Sequence, residues 1–277
     1  MIKNEKESEI ENNKSSHWPQ NIFCSFKYKE ALNEWSSFKS WKIKNPNWNI
    51  RFYDDHNMIN YVRENINEDQ FKAFMKIERM ASKVDIWRLI ILINEGGLYT
   101  DLDVKCLKPI DSWVENPNSE ILLCVDNNPP NNFGQHLLLA KPNNRILKSA
   151  LNLALSRIAD PQFKKLENFA RVLKTTGPIS FTDACFESIL GRKRNNIDDI
   201  RNEEKIDVKL FQMHGKESIS ILDFHESENV LFCHAREEKD DIYSKYKVSH
   251  WNDKLSINRL IYTFKKRLKK MLRSRKA

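Results

Sequence analysis

The segment MASKVDIWRLIILINEGGLYTDLDV, residues 80–104, determines the predicted fold and the predicted site of this chain. Its first part predicts a buried helix, because apolar side chains recur at helical spacing up to Gly96-Gly97, a pair typical of a helix C-terminus. Those apolar side chains are Val84, Trp87, Leu89, Ile90, Leu92 and Ile93. The letters LYTDLDV then predict a short strand and a turn. Asp101 and Asp103 would therefore lie together at the exposed end of a strand.

Apolar runs on both sides of this segment predict the other strands of an α/β protein. They are residues 21–26, 49–55, 121–126, 136–140, 219–223 and 230–234. Helices are predicted from apolar residues at helical spacing and from capping signals. They cover Leu32 to Trp41 and residues 55–64, 68–94, 143–158 and 178–190. The charged stretch 192–216 is interpreted as a flexible loop.

The triplet Asp101-Leu102-Asp103 carries the clearest chemical signal. Two carboxylates two residues apart can face one cation, and Mg²⁺ and Mn²⁺ prefer such oxygen ligands and bridge a diphosphate well. Glycosyl transfer from a nucleoside diphosphate develops negative charge on the leaving phosphate, which a metal stabilises. On its own, the triplet is more often a solvated turn. It also resembles the nucleophile motif of Asp-x-Asp phosphatases and phosphotransferases, but that motif follows a hydrophobic strand near the start of a domain.

Asp85 and Arg88 lie three residues apart on one face of the predicted helix, among apolar neighbours where an unpaired charge is costly. One interpretation is a buried ion pair between the two residues with a structural role. The other interpretation is functional. In it, Asp85 accepts hydrogen bonds from sugar hydroxyls, and Arg88 contacts the donor.

Residues 81–111, ASKVDIWRLIILINEGGLYTDLDVKCLKPID, resemble the family of glycosyltransferase sugar-binding regions containing Asp-x-Asp. This family, of glycosyltransferase family thirty-two type, includes initiation-type mannosyltransferases and bacterial capsule and lipopolysaccharide transferases, and it is distantly similar to glucosylating toxins. The matching positions are Ser82, Asp85, Arg88, Gly96, Gly97, Leu98, Tyr99, Asp101 and Asp103. Residues 41–55 and the letters TGP at 176–178 are also similar to the family.

The resemblance implies roles for residues outside this stretch. Phe26 stands where the family has an aromatic residue and could stack on the donor base, with core packing as the alternative. Gln135 stands where the family has an amide that could bind a sugar hydroxyl. His250 is implied as a third metal or phosphate ligand beside Trp251, and a surface histidine beside a packing tryptophan is the alternative. The implied catalytic residues are Asp85, Arg88, Asp103 and Gln135; the implied donor-binding residues are Phe26, Asp85, Arg88, Tyr99, Asp101 and Trp251; the implied metal ligands are Asp101, Asp103 and His250.

For the chain as a whole, the resemblance implies a GT-A, Rossmann-like fold in residues 17–254, with a central mixed sheet flanked by helices. Residues 1–16 are expected to be disordered. The implied reaction is retaining, metal-dependent transfer of a hexose from a nucleotide-sugar, with UDP-hexose as the expected donor and Mn²⁺ or Mg²⁺ as the cofactor. The implied acceptor is a lipid-linked or free oligosaccharide in lipopolysaccharide, O-antigen or capsule synthesis.

The positive charge of the chain is concentrated in residues 255–277, which carry nine Lys or Arg and no acid. Because the net charge of the whole chain is +8, the remainder is close to neutral, and a nucleic-acid-binding protein is not favoured. The apolar residues of the segment fall on one helical face and the basic residues on the other. This pattern is typical of a helix on an anionic membrane surface. Packing of the apolar face on the domain is the alternative.

The five cysteines, none of them at C-x-x-C spacing, favour free thiols in a reducing compartment. The N-terminal residues MIKNEKESEIENNKSS have no apolar signal-peptide core, and no apolar run reaches the roughly 18 residues of a membrane span. We therefore expect a cytoplasmic protein that is peripheral at the inner face of the cytoplasmic membrane.

Overall fold

The computed structural model describes residues 18–126, 132–166, 168–194, 204–223, 226, 230–232 and 236–247. The strands are β1 (Asn21–Ser25), β2 (Asn49–Tyr53), β3 (Gly97–Thr100), β4 (Lys105–Cys106), β5 (Ile121–Asp126), β6 (Asn132–Phe133), β7 (Leu137–Ala140), β8 (Ile219–Leu222) and β9 (Leu231–Phe232). The α-helices are α1 (Ser36–Lys44), α2 (Asp55–Asn65), α3 (Glu68–Met75), α4 (Met80–Glu95), α5 (Arg145–Ala159), α6 (Pro161–Lys164), α7 (Asn168–Thr175), α8 (Pro178–Leu190), α9 (Val208–Gly215) and α10 (Arg236–Lys245). Short 3-10 helices cover Lys29–Asn33, Ile110–Ser112 and Lys216–Ser218.

The central sheet is mixed, as predicted. Strands follow the order β2-β1-β3-β7-β5, with β8 pairing along β5. β1 is parallel to both β2 and β3, whereas β7 runs antiparallel to β3 and to β5. β6 and β7 follow one another along β5, and residues Gly134 to His136 bulge out between them. β4 and β9 form a separate two-stranded sheet.

The sheet is buried on both faces because alternate side chains of each strand point in opposite directions. In β3, Tyr99 belongs to the larger core cluster with α4, α5 and α8, whereas Leu98 belongs to the cluster on the other face. That second cluster is rich in tryptophan and contains Trp18, Trp41, Trp48 and Trp113. The predicted α/β class, with a central sheet between helices, is confirmed.

Two glycines make the connection from α4 to β3 possible. Gly96 and Gly97 have φ angles of 66° and 100°, values that residues with a Cβ rarely adopt. A Cβ on Gly97 would lie 2.6 Å from the carbonyl oxygen of Asn21 on the neighbouring strand. The predicted helix end at this pair is confirmed, and β3 can enter the sheet directly beside β1.

Other predicted elements needed correction. The helix predicted over residues 68–94 is two helices, α3 and α4. The stretch 192–216 was predicted as a flexible loop, but its residues 208–215 form α9, whose Phe211 is fully buried against Phe133 and Phe186. The prediction of a loop was wrong for residues 208–215. Burial of the Phe211 side chain in the core stabilises a helix there, although the surrounding sequence is charged.

Several predictions concern residues at the ends of the chain. Residues 1–16 and 255–277 and Cys233 lie outside the described residues. The described cysteines, Cys24, Cys106, Cys124 and Cys185, are buried, and none of them forms a disulfide with another described residue. Within the described part of the chain, no helix has the length and apolarity needed to cross a membrane.

Candidate active site

Asp101 and Asp103 lie in a turn at the carboxyl end of β3, near the middle of the sheet. The backbone N–H of Asp101 donates a 2.9 Å hydrogen bond to the carbonyl of His136, and the N–H of Val104 closes the turn with a 3.2 Å bond to the carbonyl of Asp101. Crevices outside the carboxyl ends of strands are the usual ligand sites of α/β sheets. The triplet is therefore part of the sheet framework, and the alternative of an isolated solvated turn does not hold.

Helix α1 braces this turn from the other side. The hydroxyl of Ser37 donates to the carbonyl of Leu102, and the indole N–H of Trp41 donates a 2.8 Å bond to the carbonyl of Val104. The hydroxyl of Ser40 accepts a 2.8 Å bond from the N–H of Cys106. Because these backbone groups are buried, the contacts satisfy polar atoms that would otherwise be costly, and they fix the carboxylates above them.

Arg88 connects helix α4 to the triplet. Its Nη2 lies 3.1 Å from Oδ1 of Asp85 and 3.8 Å from Oδ1 of Asp101, and its Nη1 donates to the backbone carbonyl of Gln135. The guanidinium also lies 4.3 Å from the centre of the Tyr99 ring. The buried Asp85–Arg88 ion pair considered from the sequence is present, and it extends to Asp101.

Asp85 is held from both sides. Its Oδ2 accepts a 2.8 Å hydrogen bond from the hydroxyl of Thr176, which follows α7. Burial raises the pKa of Asp85 from its usual 3.8 to about 6, although the charge of Arg88 and the bond from Thr176 act in the opposite direction. The carboxylate therefore keeps Arg88 pointed at Asp101.

Tyr99 and Asp101 form a second polar contact in the same network. The phenol donates a 2.5 Å hydrogen bond to Oδ1 of Asp101, and burial raises the pKa of Tyr99 well above its usual value. Tyr99 therefore remains a neutral donor to the carboxylate.

Asp103 faces a different cation. Its Oδ2 accepts a 2.7 Å hydrogen bond from Nζ of Lys239 in α10. Burial acts to lower the pKa of Lys239, but the charge of Asp103, the hydrogen bond to it and the nearby Tyr243 and Asp101 together outweigh burial and leave the pKa raised. The ammonium is therefore charged, and it also lies 5.6 Å from the ring centre of Tyr243.

Gln135 lies in the bulge between β6 and β7. Its side chain is buried, and among the described residues neither Oε1 nor Nε2 has a hydrogen-bond partner. A buried amide without partners is destabilising, so such a group needs an explanation. A ligand that supplies both a donor and an acceptor, as a sugar hydroxyl does, would provide the partners.

The predicted site residues divide into four groups. Five of them form one connected network at the end of β3: Asp85, Arg88, Tyr99, Asp101 and Gln135. Asp103 lies in the same turn. Phe26 packs at 6.1 Å from Trp35 and at 5.7 Å from Tyr243, measured between ring centres, so the packing alternative is present; a role in stacking stays a prediction. His250 and Trp251 lie outside the described residues.

The sequence did not reveal three residues that position the network: Ser37, Thr176 and Lys239. The sequence offered only weak signals for them. Ser37 lies on a predicted helix with tryptophans, Thr176 lies in the letters TGP that are similar to the family, and Lys239 lies in a charged segment. Each acts through a contact with a residue far away along the chain, which spacing cannot predict.

The carboxylates can be tested for their fit to a divalent cation. Asp101 exposes 37% of its side chain, so an ion can reach it from solvent, and Asp103 is two residues away. Two carboxylates plus phosphate oxygens are a ligand set that Mg²⁺ readily accepts. In the described ranges, no group of three or more His, Cys, Asp or Glu could hold a metal alone. The residues therefore fit a hard cation that shares its coordination with a diphosphate.

Comparisons with known proteins agree with this geometry. Residues 33–120 match the family described as "Glycosyltransferase sugar-binding region containing DXD motif". An initiation-specific alpha-1,6-mannosyltransferase of Candida albicans is 26% identical over 240 residues, covering 71% of this chain and 60% of that protein. An inositol phosphoceramide mannosyltransferase 1 of Schizosaccharomyces pombe is 24% identical over 169 residues, covering 58% of this chain and 49% of that protein.

Two solved structures share the fold. One is the PaToxG glycosyltransferase, at 20% identity and a TM-score of 0.50, covering 84% of this chain and 88% of that chain. The other is the catalytic domain of alpha-toxin from Clostridium novyi, at 10% identity and a TM-score of 0.53, covering 90% of this chain and 83% of that chain.

The mixed sheet and the two structural neighbours show that the chain has the GT-A fold, with the carboxylate turn at the end of β3. Residues 33–120 match the glycosyltransferase sugar-binding region containing the DXD motif, and that region includes Asp85, Arg88, Asp101 and Asp103. The phosphatase alternative is not supported. The chain spans 60% and 49% of the lengths of the two mannosyltransferases compared above, so their whole activities do not transfer to it directly.

Proposed function

We propose that this protein transfers a hexose, with retention of anomeric configuration, from a nucleoside diphosphate sugar to a glycan acceptor. The observation that carries the proposal is the network in which the buried pair Asp85–Arg88 reaches the partly exposed Asp101, beside the amide of Gln135, which lacks partners among the described residues. The site thus combines a carboxylate turn, which suits a cation-bound diphosphate, with the amide of Gln135, which suits a sugar hydroxyl. Retention is inferred from the family resemblance.

Each residue of the network has a distinct role in this proposal. Asp101 and Asp103 would hold a divalent cation, which would supply positive charge to the phosphate that leaves with the nucleoside. Arg88 is kept rigid by Asp85 and by the carbonyl of Gln135, so it orients Asp101. The amide of Gln135 binds a hydroxyl of the transferred sugar. Such preorganised contacts lower the barrier because they need no rearrangement during the reaction.

Mannose is the first sugar to test, because the two relatives compared above are mannosyltransferases. UDP is the nucleotide expected from the family resemblance. GDP and ADP should be tested beside it. For the acceptor, we propose a lipid-linked or free oligosaccharide in the synthesis of a bacterial surface polysaccharide. The amphipathic pattern of residues 255–277 supports a position at the inner face of a membrane with anionic lipids.

The first test is the melting temperature of the purified protein with Mn²⁺ and a panel of nucleoside diphosphates. A ligand at 100 times its Kd stabilises the native state by about 2.7 kcal/mol, which corresponds to roughly 5–10 °C for a domain of this size. We expect such a shift with one nucleotide and Mn²⁺, and a smaller shift when EDTA replaces the metal. Release of that nucleotide from its mannose, glucose and galactose conjugates then identifies the sugar.

The control variants separate binding at the triplet from general effects. The double substitution Asp101→Asn and Asp103→Asn is expected to abolish the metal-dependent shift. Asp111→Asn, at an exposed position of the 3-10 helix Ile110–Ser112, removes one negative charge away from the triplet and should leave the shift unchanged. The proposal fails if no nucleotide shifts the parent protein, or if the double variant responds as the parent does.

A further inference from the structure

Each carboxylate of the triplet faces a cation from a different part of the chain. Asp101 faces Arg88 of α4, and Asp103 faces Lys239, which lies 136 residues away in α10. The two cations differ in how firmly they are held. Arg88 is fixed by Asp85 and by the carbonyl of Gln135, whereas Asp103 is the single hydrogen-bond partner of Lys239 within the described residues.

Lys239 has capacity for another ligand. An ammonium group carries three N–H donors, and only one is used by Asp103. Its side chain is 20% exposed, so the group is partly accessible. The remaining donors suit an anionic ligand with several oxygens, and the triplet is the place where the fold would receive a diphosphate.

Lys239 lies against the carboxylate that a divalent cation at the triplet would use, because its Nζ is 2.7 Å from Oδ2 of Asp103. Asp103 is only 4% exposed, and a buried carboxylate requires a cation beside it. Lys239 provides that cation, at 2.7 Å from Oδ2 of Asp103. A divalent cation bound to Asp103 would repel the ammonium, whose flexible four-carbon stem allows it to move a short distance.

We propose that Lys239 is a ligand of the donor diphosphate, and that in the donor-free protein it occupies Asp103 in place of the metal. With a cation at Asp103, the ammonium of Lys239 would instead donate hydrogen bonds to the phosphate oxygens. Lys239 therefore adds a second positive charge to that of the metal as negative charge develops on the leaving nucleoside diphosphate. This proposal rests on the proposed function above.

Helix α10 is anchored independently of Lys239, so the side chain can move while the helix stays in place. Ile242 is buried in a cluster with Trp35 and Leu102, and Oε1 of Glu34 accepts hydrogen bonds of 2.8 Å from Lys245 and 2.6 Å from the Tyr246 hydroxyl. Lys245 is thus a lysine on the same helix, paired with a carboxylate outside the triplet. It provides a matched control.

The test compares Lys239→Met with Lys245→Met by titration calorimetry. Two affinities are measured for each protein: Mn²⁺ alone, and the nucleoside diphosphate that stabilises the parent, at saturating Mn²⁺. For Lys239→Met we expect Mn²⁺ to bind at least about threefold more tightly, because the competing cation is gone, and the nucleotide at least about tenfold more weakly. Lys245→Met should match the parent in both.

The opposite signs of the two changes distinguish the proposal from a structural role. A Lys239→Met protein that binds both ligands more weakly, or binds both as the parent does, overturns the proposal. Lys239→Gln keeps a donor to Asp103 without the charge and is expected to show the same two changes, so a folding defect of one variant does not decide the result. If the parent binds no nucleoside diphosphate, the proposed function fails together with this inference; if the parent binds and Lys239→Met binds equally well, only this inference fails.

Discussion

The hydroxyl of Thr176 donates a 2.8 Å hydrogen bond to Oδ2 of Asp85, across 91 residues of the chain. Oδ1 of the same carboxylate lies 3.1 Å from Arg88, so both oxygens of Asp85 are engaged. Thr176 thus holds the carboxylate of Asp85, and Asp85 in turn orients the guanidinium of Arg88 towards Asp101. The network is a positioning device for the carboxylate turn.

The raised pKa of Asp85 predicts a specific dependence of stability on pH. Its pKa is about 6 in the folded protein against 3.8 usually, so the folded protein binds a proton more tightly than the unfolded chain does. The stability that Asp85 contributes is then fully present below about pH 3.8 and lost as the pH rises through about 6. From this shift of about two units, the loss is roughly 3 kcal/mol.

Urea denaturation of the parent and of Asp85→Asn between pH 4 and pH 7 measures this contribution. Asparagine does not titrate, and all other groups are common to both proteins. The free energy of unfolding of the parent minus that of the variant should therefore decrease as the pH rises. A difference that stays constant or increases across this range would contradict a raised pKa for Asp85.

Gln135 is predicted to be a residue whose removal costs function but not stability. In Gln135→Met, an amide that lacks partners in the described structure is replaced by an apolar side chain of similar length. We expect a free energy of unfolding that is unchanged or raised by up to about 1 kcal/mol. The rate of sugar transfer should fall at least about tenfold, because a hydroxyl partner is lost.

The control for Gln135 is Gln162→Met, at an exposed position of α6, which should change neither stability nor transfer. Stability is measured by urea denaturation and transfer by nucleotide release. If Gln135→Met lost stability but transferred sugar at the parental rate, the amide would be a structural group and its place in the site would be wrong.

Local sequence patterns predicted the part of the site that lies on adjacent elements. The helix ending at Gly96-Gly97 and the strand leading to Asp101 follow from periodicity and capping, and the Asp85–Arg88 pair follows from helical spacing. These relationships are contained within about twenty residues, where geometry is set by the backbone alone. For this reason, the sequence sufficed for them.

Long-range contacts could not be predicted in the same way. The Asp103–Lys239 contact joins residues 136 positions apart, and the contact of Ser37 with the carbonyl of Leu102 depends on how α1 docks under the turn. The break between α3 and α4 lies at residues 76–79, whose letters KIER contain neither glycine nor proline. Tertiary packing determines these features, and a single sequence carries no local signal for them.

Arg88→Lys is predicted to impair the site although the charge is preserved. The planar guanidinium contacts Asp85, Asp101 and the carbonyl of Gln135 at once, whereas an ammonium cannot reproduce this fork. We expect sugar transfer to fall at least about tenfold, since small errors in position are costly in catalysis. The matched control is Arg51→Lys, which alters the pair of Arg51 with Glu95 and should leave transfer near the parental rate. Equal losses in both variants would show a general effect of arginine replacement.

Gly97→Ala should be far more destabilising than Gly191→Ala, although both glycines have positive φ angles, 100° and 67°. Each substitution incurs about 1–2 kcal/mol from the backbone conformation. At Gly191 the new methyl group meets no atom within 4 Å, whereas at Gly97 it would lie 2.6 Å from the carbonyl oxygen of Asn21. Relief of that contact requires β1 and β3 to separate, which adds about 1–3 kcal/mol or more.

Thermal denaturation of both glycine variants tests this difference, and nucleotide binding extends it to the site. Because β3 leads directly into the turn at Asp101, separation of β3 from β1 would also displace the carboxylates. We therefore expect Gly97→Ala to lose the metal-dependent nucleotide shift even at temperatures where it remains folded, whereas Gly191→Ala keeps it. Similar melting temperatures for the two variants would show that the strand junction tolerates a side chain, and that the close approach of β1 and β3 does not set the position of the triplet.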